Sequence, residues 1–387
     1  MITRQISSTV QQVSTTFKVV TITGPRQAGK TTLAKAVFPD HQYYDMDNPL
    51  LIQRFNDDPT GFLSPQAQRF IIDEFQNIPN VCNYIKVICD EMQIMGQYVL
   101  TGSNQFEFMQ GITQSLAGRT ALLKLLPLTF NEMYDKQNPD IFAAVQRGWY
   151  PALLNQDVNS GIFYSSYLGT YLERDIRNLS LVKNLGLFRQ FLGLCAGRTG
   201  CELNKQKLSE DAGIDIKTLN HWLSLLETSY IITFVQPYYK NWSKRLTKTP
   251  KLYFLDTGLA CHLLGIMDDT TLLNHPLRGQ LFETYVICEI IKHFNNHGIN
   301  ASITYLRENN GIEIDLILEY NTKLIPIEIK SGFSFNTEWL DNLRKLATRN
   351  SAFSQSKLFY AGEEEFTLKE TAVHSARKVS EALKALL

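Results

Sequence analysis

Gly24-Pro25-Arg26-Gln27-Ala28-Gly29-Lys30-Thr31 decides how the first half of this chain folds. Its fixed positions are those of G-x-x-x-x-G-K-[ST], between an apolar run suited to a strand (VVTIT, residues 19–23) and a helical pattern (TLAKAVF, residues 32–38). Glycines at that spacing let the backbone curl, so that successive N–H groups and a helix N-terminus converge on a phosphate. Lys30 adds a mobile positive charge for the outer phosphates, and the Thr31 hydroxyl, with Thr32 behind it, is placed to ligate Mg²⁺. These residues are therefore expected to hold ATP and Mg²⁺.

A second signal follows in Arg69-Phe70-Ile71-Ile72-Asp73-Glu74, an apolar strand that ends in two acids. Asp73 is expected to hold the Mg²⁺ through water, and Glu74 to polarise the attacking water. A third run, residues 97–101, leads into Leu100-Thr101-Gly102-Ser103-Asn104. Ser103 or Asn104 would sense the γ-phosphate there, unless the stretch is a plain strand-to-loop turn. Arg119, in Ser115-Leu116-Ala117-Gly118-Arg119, reads either as an arginine finger or as a solvated helix-end arginine. Asp45 and Asp47 close a second strand and read as a turn. Short apolar runs separated by helical patterns predict a parallel α/β sheet.

With these motifs in order, residues 1–180 resemble the AAA-type P-loop ATPases of bacteria and archaea whose phosphate loop reads GPRQ-x-GKT. The resemblance extends further. Tyr171-Leu172-Glu173-Arg174-Asp175-Ile176, Lys251-Leu252-Tyr253-Phe254-Leu255-Asp256-Thr257-Gly258-Leu259 and Arg278-Gly279-Gln280-Leu281-Phe282-Glu283 are similar to the uncharacterised C-terminal region that accompanies that ATPase. It implies an ATP-binding protein and leaves the biological role open.

Composition is ordinary for a globular chain of 387 residues: 44% apolar, 20% charged, with basic and acidic residues equal at 38 each. The neutral total conceals a basic middle, because residues 184–255 hold ten basic and five acidic side chains. Six cysteines without a C-x-x-C pair exclude a metal clip of that spacing, and reduced thiols are expected. The N-terminal stretch lacks the apolar core of a signal peptide, and no apolar run is long enough to cross a bilayer. A cytoplasmic protein with no membrane partner is the expectation.

The basic middle begins with Lys207-Leu208-Ser209-Glu210-Asp211-Ala212-Gly213-Ile214-Asp215, a short helix closed by Gly213, before a longer amphipathic helix over residues 216–229. Short helix, glycine turn and amphipathic helix form the helix-turn-helix pattern, and the strands after it would be a wing. Residues 238–251 (YYKNWSKRLTKTPK) carry five basic residues, three aromatics and no acid, a composition suited to phosphate backbones. The second helix offers Lys217, Asn220 and His221 but no arginine, so base readout would be modest.

The last third carries a loose constellation of acids. Glu283 lies on a long helix, Asp315 in Ile312-Glu313-Ile314-Asp315-Leu316-Ile317-Leu318, and Glu328-Ile329-Lys330 ends a second strand. Period two puts Glu313 with Asp315, and Glu328 with Lys330, on single strand faces. A hairpin turning at Tyr320-Asn321-Thr322-Lys323 lets those faces meet, so that Asp315 and Glu328 converge on Mg²⁺ with Lys330 beside the activated water. This resembles the PD-(D/E)xK nuclease core, with twelve residues between Asp315 and Glu328 and an acid on the preceding helix. Related folds cut nucleic acid or bind it passively.

The expected α/β architecture is an AAA-type P-loop ATPase with a helical lid over residues 1–183 (core about 14–130), a winged helix over 184–275 and a nuclease-like domain over 276–387. Three functions fit: an ATPase whose nucleotide state reorients the C-terminal half, an ATP-gated nuclease binding DNA or RNA through residues 205–251, or a nucleotide-switched protein-binding module. An oligomer is required only if Arg119 acts in trans.

Overall fold

The computed structural model describes residues 2–63, 68–78, 80–102, 114–135, 137–172, 184–239, 248–308, 311–353 and 355–386. The chain divides into two compact units. One holds Met1–Leu128 with Thr228–Tyr230 and Asn295–Ile299, and the other holds Thr129–Glu227, Ile231–Phe294 and Asn300–Leu387.

Five strands form the sheet of the first unit: β1 (Val19–Thr23), β2 (Gln42–Asp45), β3 (Phe70–Asp73), β4 (Tyr98–Gly102) and β5 (Thr120–Lys124). Their order is β2-β3-β4-β1-β5, and every neighbouring pair is parallel. All residues of β1, β3 and β4 are buried. Apolar runs without alternation fold this way because layers cover both faces of a parallel sheet. One layer includes Phe55, Phe62, Phe75 and Ile85, and the other includes Ile6, Val10, Leu33 and Leu125. Helix Lys30–Val37 leaves β1 and packs on β4 and β3, carrying the chain to the far edge at β2. β1 is thus the strand where the order reverses, and the carboxyl ends of such strands open a ligand crevice.

The second unit starts on a capping box. Thr129 accepts the Glu132 N–H, and the Glu132 carboxylate accepts the Thr129 N–H, which nucleates helix Phe130–Tyr134. Nine strands follow: β6 (Cys201–Glu202), β7 (Ile232–Pro237), β8 (Lys251–Phe254), β9 (Ser302–Arg307), β10 (Glu313–Tyr320), β11 (Lys323–Lys330), β12 (Ser356–Tyr360), β13 (Phe366–Leu368) and β14 (Thr371–Ser375). They form one mixed sheet in the order β13-β14-β12-β11-β10-β9-β7-β8-β6. The β10–β11 hairpin turns through Asn321 and Thr322, both with positive φ (46° and 67°), as the sequence predicts.

Three features differ from expectation. β7 runs parallel to β9, so the strands read as a separate wing belong to the same sheet as the C-terminal strands. Apart from Thr228–Tyr230 and Asn295–Ile299, segments 184–275 and 276–387 lie in one compact unit together with residues from Thr129 onward. Finally, the closing residues add three strands that the sequence does not announce, β12, β13 and β14, beside helices Asp341–Arg349 and Val379–Lys384. β12 is nearly all buried and lies between β11 and β14, so it shows no alternation to read.

Asp256 explains why residues 129–167 join this unit. Its buried carboxylate accepts the Trp149 N–H (2.8 Å), the Tyr164 hydroxyl (2.6 Å) and the Leu259 N–H (2.8 Å), the last capping helix Thr257–Leu263. Burial raises its pKa. Asp256→Ala leaves the buried Trp149 and Leu259 N–H groups without this acceptor and is expected to cost about 3 kcal/mol, lowering the melting temperature by roughly 6–12 °C in a calorimetric scan.

Candidate functional site

The loop after β1 curls on two glycines. Gly24 has φ +152°, and a Cβ there would stand 2.1 Å from the Leu125 carbonyl oxygen. Gly29, at φ +93°, is the N-cap of helix Lys30–Val37, so the first N–H groups of the helix open into the loop. Pro25 and Ala28 are buried, whereas Gln27 and Thr32 are exposed and Arg26 is intermediate. The Lys30 ammonium, also buried, donates to the carbonyls of Gly24 (3.1 Å) and Pro25 (2.9 Å). Arg4 braces the loop from behind, donating to the carbonyls of Ala28 (2.8 Å) and Leu126 (2.7 Å). No motif marks Arg4, because its role depends on a contact 24 residues along the chain.

Asp73 gathers this site. Its carboxylate, 4% exposed, accepts the hydroxyls of Thr31 (2.6 Å), Tyr43 (2.9 Å) and Thr101, together with the Glu74 N–H (3.2 Å). Hydrogen bonds to an ionised acceptor are the strong ones. The donors come from the helix start, from β2 and from β4, and the register places Thr101 opposite both Asp73 and Ile22. Burial, then the Asp73 charge, raises the Tyr43 phenol well above its ordinary range, and the Lys35 ammonium lies 3.4 Å from the centre of its ring. Glu74 has φ 50°, a left-handed conformation uncommon for a side-chain-bearing residue. Burial raises its carboxyl, while the charges of Lys30 and Arg26 and a hydrogen bond from Gln76 oppose the rise. Thr31 and Asp73 are hard oxygen donors in contact, the set that Mg²⁺ takes.

The structure does not bring Arg119 to this loop. Its carbonyl accepts the Val19 N–H at the start of β1, so the five residues of β1, roughly 16 Å, separate it from Gly24. There it makes a two-pronged ion pair with Asp90 at 2.7 and 2.8 Å. Ser103 and Asn104 lie outside the described residues. Asp45 and Asp47 form the expected turn, the Asp45 carboxylate accepting the Asp47 N–H at 2.9 Å.

A second group of chemistry-bearing residues converges within the nine-stranded sheet. Lys330 joins Asp315 (3.4 Å) to Glu328 (2.5 Å), and Asp315 also accepts the Ile329 N–H at 2.8 Å. Glu283, on helix Arg278–Asn296, shares with Asp315 and Lys330 a cleft of about 450 Å³. The four sequence-nominated residues thus come together. Burial, then the Asp315 charge, pushes Glu283 up to about 7, and the same two causes push Glu328 up. Oε1 of Glu328 is buried and meets no donor among the described residues. Two carboxylates with a spare buried oxygen suit a hard divalent cation. Yet no cluster of three or more His, Cys, Asp or Glu side chains able to hold a metal ion occurs among the described residues.

The helices Lys205–Ala212 and Ile216–Thr228 meet through left-handed Gly213 and leave Lys205, Lys207 and Lys217 exposed. Asn220 is engaged internally, accepting from Lys205 at 2.8 Å. Residues 240–247 of the basic stretch lie outside the described residues. Lys251 departs from its expected place on a basic surface. It is 4% exposed, because β8 pairs with strands on both sides, and its ammonium faces Glu283 (3.3 Å) and Glu313 (3.7 Å).

Comparison with known proteins accounts for most of the chain in three pieces. Residues 16–134 match an AAA domain, residues 138–270 a domain of unknown function (DUF8612), and residues 278–379 another (DUF4143). The first match supports an AAA-type ATPase domain at the phosphate loop. An uncharacterised protein of Mycobacterium tuberculosis is 28% identical over 92% of this chain and 79% of its own length. One of Haemophilus influenzae is 24% identical over 71% of this chain and 68% of its own. Among solved structures, a Walker-type ATPase of Pyrococcus abyssi aligns with 67% of this chain and 94% of its own, at 14% identity and a TM-score of 0.44. Among the described residues no helix is long and apolar enough to cross a membrane.

Gly24→Ala forces a Cβ onto a backbone carbonyl at a φ that glycine favours. It is expected to destabilise the first unit by about 2–4 kcal/mol, read as a lower urea midpoint.

Proposed function

We propose that the first unit binds ATP with Mg²⁺ and hydrolyses it. The observation that carries this is the 2.6 Å contact between Thr31 and Asp73 beneath a glycine loop at the carboxyl edge of a parallel sheet. Backbone N–H groups of residues 26–32 cradle the phosphates, and Lys30 exchanges its loop carbonyls for phosphate oxygens. Thr31 and Asp73 hold the metal, which neutralises developing phosphate charge when bound. Glu74, next in the chain, orients the attacking water and draws its proton. Tyr43 and Thr101 hold Asp73 in the orientation that Thr31 needs.

Hydrolysis is measured as phosphate release with Mg²⁺ present. Glu74→Gln is expected to lower kcat about 10²–10³-fold while leaving ATP affinity nearly unchanged. Lys30→Ala is expected to weaken ATP binding about tenfold or more. Unchanged ATP affinity in Lys30→Ala would rule out this site.

A second reading is favoured by the convergence of Glu283, Asp315, Glu328 and Lys330. It makes the cleft a PD-(D/E)xK-like site that acts on or binds a nucleic-acid backbone, with Asp315 and Glu328 holding a divalent cation and Lys330 beside the scissile phosphate. The exposed lysines of the helix pair would add sequence-independent affinity, and the nucleotide state of the first unit would control the second. Cutting with Mn²⁺ that is lost in Asp315→Ala and kept in Lys30→Ala supports it. No cutting, with partner capture insensitive to salt, points instead to a nucleotide-switched protein-binding module.

A further inference from the structure

Helix Ile216–Thr228 is closed by a residue that its turn does not favour. The Ile231 N–H returns to the Leu226 carbonyl at 2.9 Å, and Tyr230 between them has φ 57°. A left-handed residue closing a helix is usually glycine, because a Cβ there crowds the backbone. A tyrosine at this place needs an offsetting contact, and its ring supplies one. The Tyr230 hydroxyl lies 3.0 Å from the hydroxyl of Thr23. Thr23 is fully buried and is the last residue of β1, directly before Gly24. Its single proton goes to the Leu123 carbonyl at 3.3 Å, so the phenol donates to Thr23.

Thr228–Tyr230 belong to the first unit, whereas Glu227 and Ile231 on either side belong to the second. The turn that ends this helix is thus anchored at the base of the phosphate loop. The Lys30 ammonium holds the Gly24 carbonyl at 3.1 Å. A phosphate that draws the ammonium away changes the partners of the residue bonded to Thr23.

We propose that the Thr23–Tyr230 contact is a regulatory device that couples ATP occupancy of the loop to the C-terminal end of helix Ile216–Thr228. This coupling rests on the ATP-binding reading above and names the residue through which the nucleotide acts. ATP bound across the loop amides fixes Thr23, and Thr23 in turn holds the phenol, so the helix end opens less often. Coupling is reciprocal: the contact raises ATP affinity by the factor by which ATP suppresses that opening.

The test uses the full chain with Mg-ATP in a Glu74→Gln background, which retains the nucleotide. Amide hydrogen exchange over residues 226–231 is followed by mass spectrometry, and ATP affinity by calorimetry. ATP is expected to slow exchange over 226–231 about fivefold. Tyr230→Phe is expected to abolish that slowing and to weaken ATP binding about fivefold, while ATP still protects residues 24–37. A purely structural phenol would lower stability and leave the ATP response in place. Circular dichroism checks folding. If Tyr230→Phe does not fold, Thr23→Val removes the same contact and takes its place with the same readouts.

No slowing over 226–231 in the parent, slowing that survives Tyr230→Phe, or parental ATP affinity in Tyr230→Phe overturns the coupling and leaves ATP binding intact. Absence of ATP binding by the parent, or binding unchanged by Lys30→Ala, overturns the ATP-binding reading and the coupling together.

Discussion

A carboxylate buried at the edge of a sheet must find donors, and Asp73 finds three hydroxyls and an amide. Each hydroxyl belongs to a different element, so the carboxylate ties the start of helix Lys30–Val37 to β2 and β4. The loop between Thr23 and Lys30 then has both ends held, one by the sheet and the other by Thr31. Arg4 and the Leu125 carbonyl close it from behind. Removing water from such a cluster strengthens each contact, because the local dielectric is low. The glycine loop is therefore shaped by what surrounds it as much as by its own residues.

The carboxylate cleft solves a related problem differently. It packs three acids with two lysines and a tyrosine, so every acid has a cationic partner although the acids outnumber the lysines. Such pairs contribute little net stability against apolar packing of equal volume, but losing one partner is costly.

How much of this was legible in the chain depended on distance along it. The phosphate loop and the strand ending in Asp73-Glu74 are local patterns, and local patterns survive without a structure. The β10–β11 hairpin was equally readable, since alternation and a polar turn lie within twenty residues. Tyr43 and Thr101 were not, because only the parallel register across β2, β3 and β4 brings them to Asp73. Which end of its strand Arg119 occupies is likewise set by the fold, because sequence order does not specify it. Lys251 sat in a stretch so basic that it read as surface, yet β8 pairs on both edges and turns that lysine inward. β12 was missed because a strand covered on both faces loses its period-two signature.

The turn through Asn321 and Thr322 has a consequence for how this cleft can vary. Two residues join β10 to β11, and they set Leu316 opposite Ile327. Strand faces alternate, so parity decides which side chains meet. One residue added to or removed from the connection would swing Glu328 and Lys330 to the opposite face of the sheet while Asp315 stayed where it is. A change of two would restore the pairing of faces. The turn thus acts as an even–odd gate on sequence drift, one in which length carries more meaning than residue identity.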